Sequence, residues 1–143
     1  MLLKLFAAGL LVAATVSLHA AGLAGLFRAR LKSAGPPPTR FWPVTWLLIR
    51  VTWCLILLHV IEISLWGLFY FFVGSLPDMQ TAFYFSAVTY TTVGYGDVVL
   101  PERWQLVGAI EGLAGILMCG LSTGFFFAIV NRLLNRALKM GRS

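Results

Sequence analysis

Residues 91–97 read TTVGYGD, and the five residues inside this stretch, the TVGYG segment (residues 92–96), carry the clearest chemical signal in the chain. A dehydrated cation needs a cage of oxygen atoms, and an extended backbone supplies one when its carbonyl groups turn to the same side. Gly94 and Gly96 stand where such a backbone needs positive φ angles, which glycine reaches without a steric penalty from Cβ. The stretch therefore predicts a cation-binding segment made of main-chain oxygens.

The composition predicts a membrane protein. Of the 143 residues, 59% are hydrophobic and 11% are charged, whereas soluble domains usually carry roughly 25% charged residues. The net charge of +6 does not indicate nucleic-acid binding, because the basic residues flank apolar runs instead of forming a water-facing patch. No nucleophile, general-base pair or metal-ligand spacing suggests an enzyme, and no cofactor is expected.

Three apolar segments are long enough to cross a hydrocarbon core about 30 Å thick, which takes roughly 20 helical residues. They cover residues 2–27, 44–73 and 104–134. A further helical stretch at residues 78–90 precedes the TVGYG segment. It is too short to span and is typical of a re-entrant helix, which enters and leaves on the same side.

The basic residues predict the orientation of these segments. Eight of them lie between the first two segments or after the third, and no acidic residue lies among them; they are Arg28, Arg30, Lys32, Arg40, Arg132, Arg136, Lys139 and Arg142. The positive-inside rule makes that side cytoplasmic. The N terminus and the TVGYG segment then face outward across a plasma membrane, expected to be a bacterial inner membrane, and the C terminus is cytoplasmic.

The first segment has a second interpretation, a cleaved signal peptide. Lys4 precedes its apolar run, and small residues such as Ala20 and Ala21 could suit cleavage. Cleavage would leave the basic residues after this segment on the outside, against the charge distribution. The charges therefore favour a retained helix.

With these elements in this order, residues 46–131 resemble the pore domain of the K⁺ channel superfamily. The resemblance implies an all-α membrane fold and a homotetramer in which K⁺ is held by TVGYG carbonyls around a central axis. The chain then divides into an extra N-terminal transmembrane helix (1–32), a cytoplasmic proline-rich connector (33–43), a pore domain (44–134) and a basic cytoplasmic tail (135–143). The pore domain comprises an outer helix (44–73), a pore helix (78–90), a filter (91–97) and an inner helix (104–134).

The resemblance also implies roles for single residues. The K⁺ ions would bind the carbonyl oxygens of the segment, which are those of Thr92, Val93, Gly94 and Tyr95, with Gly96 at its outer end. Filter support would come from residues beside it, namely Thr91 at the inner rim, Asp97 at the outer mouth, and Tyr84 and Phe85 behind the Tyr95 ring. Some relatives pair the outer aspartate with a pore-helix glutamate. Val88 stands at that position here, which puts filter inactivation through such a pair in doubt.

The inner helix contains candidates for gating. Gly115 matches the place of a hinge glycine in relatives, but a glycine rhythm in this helix also suits close packing in lipid. Ser122 and Gly124 could permit a bend where voltage-gated relatives carry proline. Phe125, with Phe126 and Phe127, could form an apolar constriction, or these rings could face lipid and neighbouring helices.

Two carboxyl groups lie deep inside apolar segments. Glu62 and Glu111 are predicted at similar depth, about 15 Å and about 12 Å from the outer ends of their helices. His59 precedes Glu62 by three residues and shares its helix face. These three residues predict a buried cluster behind the filter, either a pH-sensitive element or a static set of hydrogen bonds to pore-helix threonines or backbone.

The sequence thus predicts a passive K⁺ channel without an arginine voltage sensor, since no apolar helix carries a basic residue at every third position, and without a cytoplasmic ligand domain. Two alternatives remain open, a less selective cation channel and a non-conducting regulatory subunit. The expected partners are K⁺, the lipid bilayer, other copies of the chain and a further membrane protein bound through the N-terminal helix.

Overall fold

The computed structural model describes residues 2–32 and 40–140. They form four helices, which are α1 (Leu2–Lys32), α2 (Phe41–Phe72), α3 (Met79–Tyr90) and α4 (Glu102–Met140). No strand occurs within these two ranges, so the predicted all-α class is confirmed. Residues 33–39, most of the predicted connector, and residues 141–143 of the predicted tail lie outside the described part of the chain.

Three of the helices are long and apolar enough to cross a membrane, namely α1, α2 and α4. The fourth, α3, has 12 residues and is therefore only about 18 Å long, too short to span. It lies between two spans and leads directly into the TVGYG segment. The chain is a multi-pass membrane protein with one short helix held among its spans.

Two helices extend beyond their predicted bounds. α2 begins at Phe41, so that Pro43 lies in its first turn and not in a connector; proline is tolerated there because the first N–H groups of a helix have no intrahelical acceptor. α4 continues to Met140, with Lys139 in its last turn. The prediction followed the apolar run alone, whereas the helix persists into polar sequence, where a basic residue complements its C-terminal dipole.

α3 begins with a well-defined cap. The side chain of Asp78 accepts hydrogen bonds from the backbone N–H of Thr81 and from its hydroxyl, each at 2.8 Å. The backbone N–H bond is the main reason that the pKa of Asp78 lies below its usual range. A capping aspartate satisfies one of the free N–H groups of the first turn and fixes where the helix starts.

α1 packs against both α2 and α4. At one end, the Lys4 ammonium donates to the carbonyl of Arg103 at 3.1 Å and lies 4.7 Å from the centre of the Trp104 ring. Further along, Trp66 Nε1 donates to Thr15 Oγ1 at 3.0 Å. Ala8, Thr15 and His19 are fully buried. α1 therefore runs antiparallel to α2 and parallel to α4, with one stripe of small and polar side chains facing the protein.

Candidate functional site

The TVGYG segment has an unusual backbone. Its φ angles are 60° at Thr92, 53° at Gly94 and 76° at Gly96, and Thr92 is the one residue other than glycine with positive φ in the described chain. The sign of φ therefore alternates along the segment. In an ordinary strand successive carbonyls point to opposite sides, and such alternation brings them to the same side. This is the conformation that a cage of main-chain oxygens requires.

Two backbone N–H groups of the segment donate hydrogen bonds to carbonyl groups of α3. The backbone N–H of Thr92 donates to the carbonyl of Thr89 at 2.9 Å, and that of Gly94 donates to the carbonyl of Val88 at 3.1 Å. Thr91 donates from both its N–H and its hydroxyl to the carbonyl of Ala87, at 3.1 and 2.7 Å. These bonds turn the N–H groups back toward the helix, and the acceptor side of the segment stays available for a cation.

The segment is uncovered in a single chain. All residues from 91 to 97 are exposed, including 52% of Val93 and 72% of Tyr95. A Cβ placed on Gly94 or Gly96 would have no neighbour within 4 Å. Exposed apolar side chains on an irregular strand are typical of a surface that another molecule covers.

The predicted filter supports lie at different places. Phe85 is buried, and its ring packs edge-on against Tyr70 with centroids 5.2 Å apart. It also lies 3.4 Å from where a Cβ on Gly108 would stand. Phe85 therefore belongs to the contact of α3 with α2 and α4. One helix position earlier, Tyr84 points toward the outer end of the TVGYG segment instead.

Tyr84 and Asp97 form a hydrogen bond at that outer end. The phenol donates to Asp97 Oδ2 at 2.6 Å, and this bond is the main reason that the pKa of Asp97 lies below its usual range and that of Tyr84 above it. Val88 cannot bond to this carboxylate through its side chain. Tyr84 thus provides the link between α3 and Asp97 that the sequence prediction left without a partner.

The first buried carboxyl group, Glu111, lies behind α3 with two hydroxyl groups. Tyr70 donates to its Oε2 at 2.8 Å, and Ser86 Oγ lies 2.5 Å from its Oε1. Ser86 Oγ also lies 2.8 Å from the carbonyl of Ile63. Two hydroxyl hydrogens cannot serve three contacts, so the set is complete when Glu111 is a neutral carboxylic acid that donates to Ser86. A neutral acid also avoids the cost of a buried charge.

The second buried carboxyl group, Glu62, belongs to a larger set, called here the histidine cluster: His19, His59, Glu62, Tyr90 and Ser122. His19 Nδ1 lies 2.9 Å from Glu62 Oε1, and Tyr90 donates to Glu62 Oε2. His59 lies 3.1 Å from the Tyr90 hydroxyl and 3.0 Å from Ser122 Oγ, which lies 3.3 Å from His19 Nε2. The five side chains close a ring of contacts, and each helix contributes at least one of them.

A count of hydrogens shows what this ring requires. The ring has five contacts, besides the longer approach of His59 Nδ1 to Glu62 Oε2 at 3.3 Å, and each contact needs one hydrogen. With Glu62 as a carboxylate and both imidazoles neutral, the two histidines and the two hydroxyls of Tyr90 and Ser122 supply only four. The fifth contact has its hydrogen only when the cluster gains one proton, whereas a bound metal ion would replace contacts of the ring.

The structure thus separates residues that the sequence placed in one cluster. Glu62 and His59 lie together, but Glu111 bonds to Tyr70 and Ser86 at another level of the bundle. Similar distances from the helix ends did not bring the two carboxyl groups into one set, because the side chains point along the helices as well as outward. The two sets are bridged by α3, since Ser86 and Tyr90 are four residues apart and share one face.

Sequence reasoning missed His19. Its signal was the spacing of Thr15 and His19, two polar residues four positions apart on one face of an otherwise apolar helix. Such a pair inside a membrane span indicates a polar partner on another helix. In the structure both residues are fully buried against α2.

The gating candidates lie along α4, which is continuous from Glu102 to Met140. A Cβ on Gly115 would lie 2.0 Å from the carbonyl oxygen of Tyr90, so that this glycine allows α4 to touch the end of α3. Ser122 belongs to the histidine cluster, and Gly124 has no neighbour within 4 Å of a Cβ. Phe125 is half-buried. Hinging and an apolar constriction stay predictions.

A family model described as "Ion channel" matches residues 45–132. The chain belongs to this ion channel family. The match spans more than half of the chain and includes most of α2, all of α3, the TVGYG segment and most of α4, which confirms the pore-domain resemblance and leaves α1 outside. Comparisons with curated proteins and with solved structures gave no match.

The contact between Gly115 and Tyr90 predicts that alanine changes the stability of the fold differently at two glycines of α4. Gly115→Ala should lower the free energy of unfolding by about 1–3 kcal/mol, because the added methyl meets a backbone carbonyl that cannot move away. Gly120→Ala, with no neighbour within 4 Å, should be neutral or stabilising by up to about 1 kcal/mol. Thermal unfolding in detergent measures both; equal effects would contradict this contact.

The hydrogen count around Glu111 predicts that glutamine is a good replacement for it. A glutamine amide donates to Ser86 and accepts from Tyr70 as a neutral acid does, so Glu111→Gln should unfold at nearly the wild-type temperature. Glu111→Ala leaves buried hydroxyls without partners and should cost about 1–3 kcal/mol. A large loss in Glu111→Gln would show that the carboxyl group is ionised.

The bond between Tyr84 and Asp97 predicts a pH dependence at the outer end of the segment. Because the pKa of Asp97 is lowered in the folded chain, the bond stabilises the fold above the usual carboxyl pKa and is lost as the pH falls through the lowered value. Tyr84→Phe should therefore raise the pKa of Asp97, as followed by carboxyl ¹³C chemical shifts. Tyr95→Phe is the control, and an equal shift in both variants would argue against the bond.

Proposed function

We propose that four copies of the chain form a K⁺-selective channel in which the TVGYG segments surround a central axis. The alternation of φ from Thr92 to Gly96 carries this proposal. It is the arrangement that turns successive carbonyls to one side, where they replace the water shell of a K⁺ ion. The bonds from the N–H groups of Thr92 and Gly94 to α3 support the same function, because they leave the carbonyls for the ion.

The exposure of the segment supports an assembly of several chains. One segment cannot surround an ion, and four related by a closed rotation can. Val93 and Tyr95, which are exposed in the single chain, would then pack against neighbouring subunits. In this assembly Tyr95 would still brace the filter from behind, against a neighbouring chain.

The buried carboxyl groups support a rigid pore helix. Ser86 and Tyr90 bind Glu111 and Glu62 respectively, and the carbonyl of Tyr90 lies against Gly115. α3 is thereby fixed to α2 and α4 at the end where it meets the TVGYG segment. A filter that distinguishes K⁺ from Na⁺ through the positions of its carbonyl oxygens is more selective when a rigid helix holds those positions.

The orientation and location belong to the same proposal. The spans of α1, α2 and α4 are odd in number, so the two ends of the chain lie on opposite sides. The basic residues Arg132, Arg136 and Lys139 follow the apolar part of α4, and the positive-inside rule favours a cytoplasmic position for its end at a plasma membrane. The TVGYG segment then faces outward.

Ion flux into liposomes containing the purified protein tests this function. Wild type should pass K⁺ much faster than Na⁺. Gly94→Ala should abolish this flux, since a methyl group at φ 53° costs roughly 1–2 kcal/mol in each subunit and distorts the carbonyl ring. Gly9→Ala, at a glycine with no neighbour within 4 Å, is the matched control and should conduct as wild type.

The same assay separates the alternatives. Equal K⁺ and Na⁺ flux that Gly94→Ala removes would indicate a less selective cation channel. No flux from a well-folded tetramer would indicate a regulatory subunit, and a monomer in detergent and in lipid would contradict the assembly.

A further inference from the structure

We propose that the histidine cluster binds a divalent transition-metal ion, with Zn²⁺ as the best match, through His19, His59 and Glu62. These three residues each offer a ligand atom, and the three atoms lie within 4.8 Å of one another. They come from two helices, since His19 lies on α1 and the other two on α2. The ion would join the N-terminal helix to the outer helix.

The donor set identifies the class of ion. Two imidazole nitrogens and one carboxylate oxygen form a common set of protein ligands for Zn²⁺. Mg²⁺ and Ca²⁺ prefer sites made of oxygen alone, and thiolate-seeking ions prefer sulfur. Among the described side chains the Glu62 carboxylate lies 2.9 Å and 3.3 Å from two histidine nitrogens and pairs with no lysine or arginine, so a bound cation would also balance a buried negative charge.

Two of the three distances between ligand atoms are close to those of a zinc site. His19 Nδ1 lies 2.9 Å from Glu62 Oε1, and His59 Nδ1 lies 3.3 Å from Glu62 Oε2. In a tetrahedral zinc site with bonds of 2.0–2.1 Å, neighbouring ligand atoms are about 3.3 Å apart. The Tyr90 hydroxyl lies beside both Glu62 and His59 and can take the fourth position.

Ser122 supplies the outer contact that metal-binding histidines usually have. Its Oγ lies 3.0 Å from His59 Nε2 and 3.3 Å from His19 Nε2. With an ion on the Nδ1 side, each ring carries its hydrogen on Nε2 and donates it to one of the two lone pairs of the serine oxygen. The ion therefore removes the need for the missing hydrogen, because both Nδ1 atoms bind the ion while both Nε2 atoms keep Ser122 as their partner.

The surroundings suit an ion that is held tightly. His19 and Glu62 are fully buried, which excludes competing water, and the side chain of His59 is 19% exposed in the single chain. Because the five residues of the cluster come from all four helices, binding should stabilise the whole bundle. The site stands apart from the proposed conduction of K⁺, and its test does not use ion flux.

Binding is tested on the purified full chain, stripped with a chelator and titrated with Zn²⁺ or Co²⁺ alone. Wild type should bind one Co²⁺ per chain with the visible absorption bands of a tetrahedral site. Zn²⁺ in excess over its dissociation constant should raise the unfolding temperature by several degrees, and the chelator should reverse the rise.

Three variants make the assignment specific. His19→Asn keeps a hydrogen-bond donor near Glu62 but loses the imidazole ligand, and Glu62→Gln removes the charged ligand. Both variants should lack the cobalt absorption bands and should bind Zn²⁺ at least tenfold more weakly than wild type. Glu111→Gln, in the neighbouring polar set, should bind as wild type does. Wild-type protein with neither bands nor a thermal shift, or variants that bind Zn²⁺ as wild type does, would overturn the proposal.

Discussion

The structure depends on how two carboxyl groups are accommodated in the apolar interior of a membrane protein. An unsatisfied carboxyl group there costs several kcal/mol, and neither Glu62 nor Glu111 has a lysine or arginine partner among the described side chains. Each of them contacts a hydroxyl group of α3, Ser86 for Glu111 and Tyr90 for Glu62. The short helix α3 is therefore held in place by its bonds to the two buried carboxyl groups. These bonds also fix the position at which the TVGYG segment begins.

Much of this architecture could be predicted from the sequence, because its signals are local. The length of an apolar run gives a span, Asp78 marks the start of α3, and the pattern TTVGYGD defines a backbone conformation through its glycines. The TVGYG pattern also pointed correctly to an ion channel family. Each of these predictions needed only neighbouring residues.

The rest depends on how helices face each other, which a single sequence does not specify. His19 could not be linked to Glu62, 43 residues away, without knowing that α1 packs against α2. The packing of Phe85 against Tyr70 could not be foreseen for the same reason. Apolar periodicity is weak in a span that contacts lipid on several sides, so it does not show which side chains meet.

The contact between Gly115 and Tyr90 gives α4 a mechanical character. At 1.5 Å per residue, the helix extends about 20 Å from Glu102 to this contact and about 37 Å beyond it to Met140. With this contact as a fulcrum, a force on the basic C-terminal end works on a lever arm nearly twice as long as the arm that ends at Glu102. A pull on the C-terminal end would give a smaller displacement, with a larger force, beside the TVGYG segment.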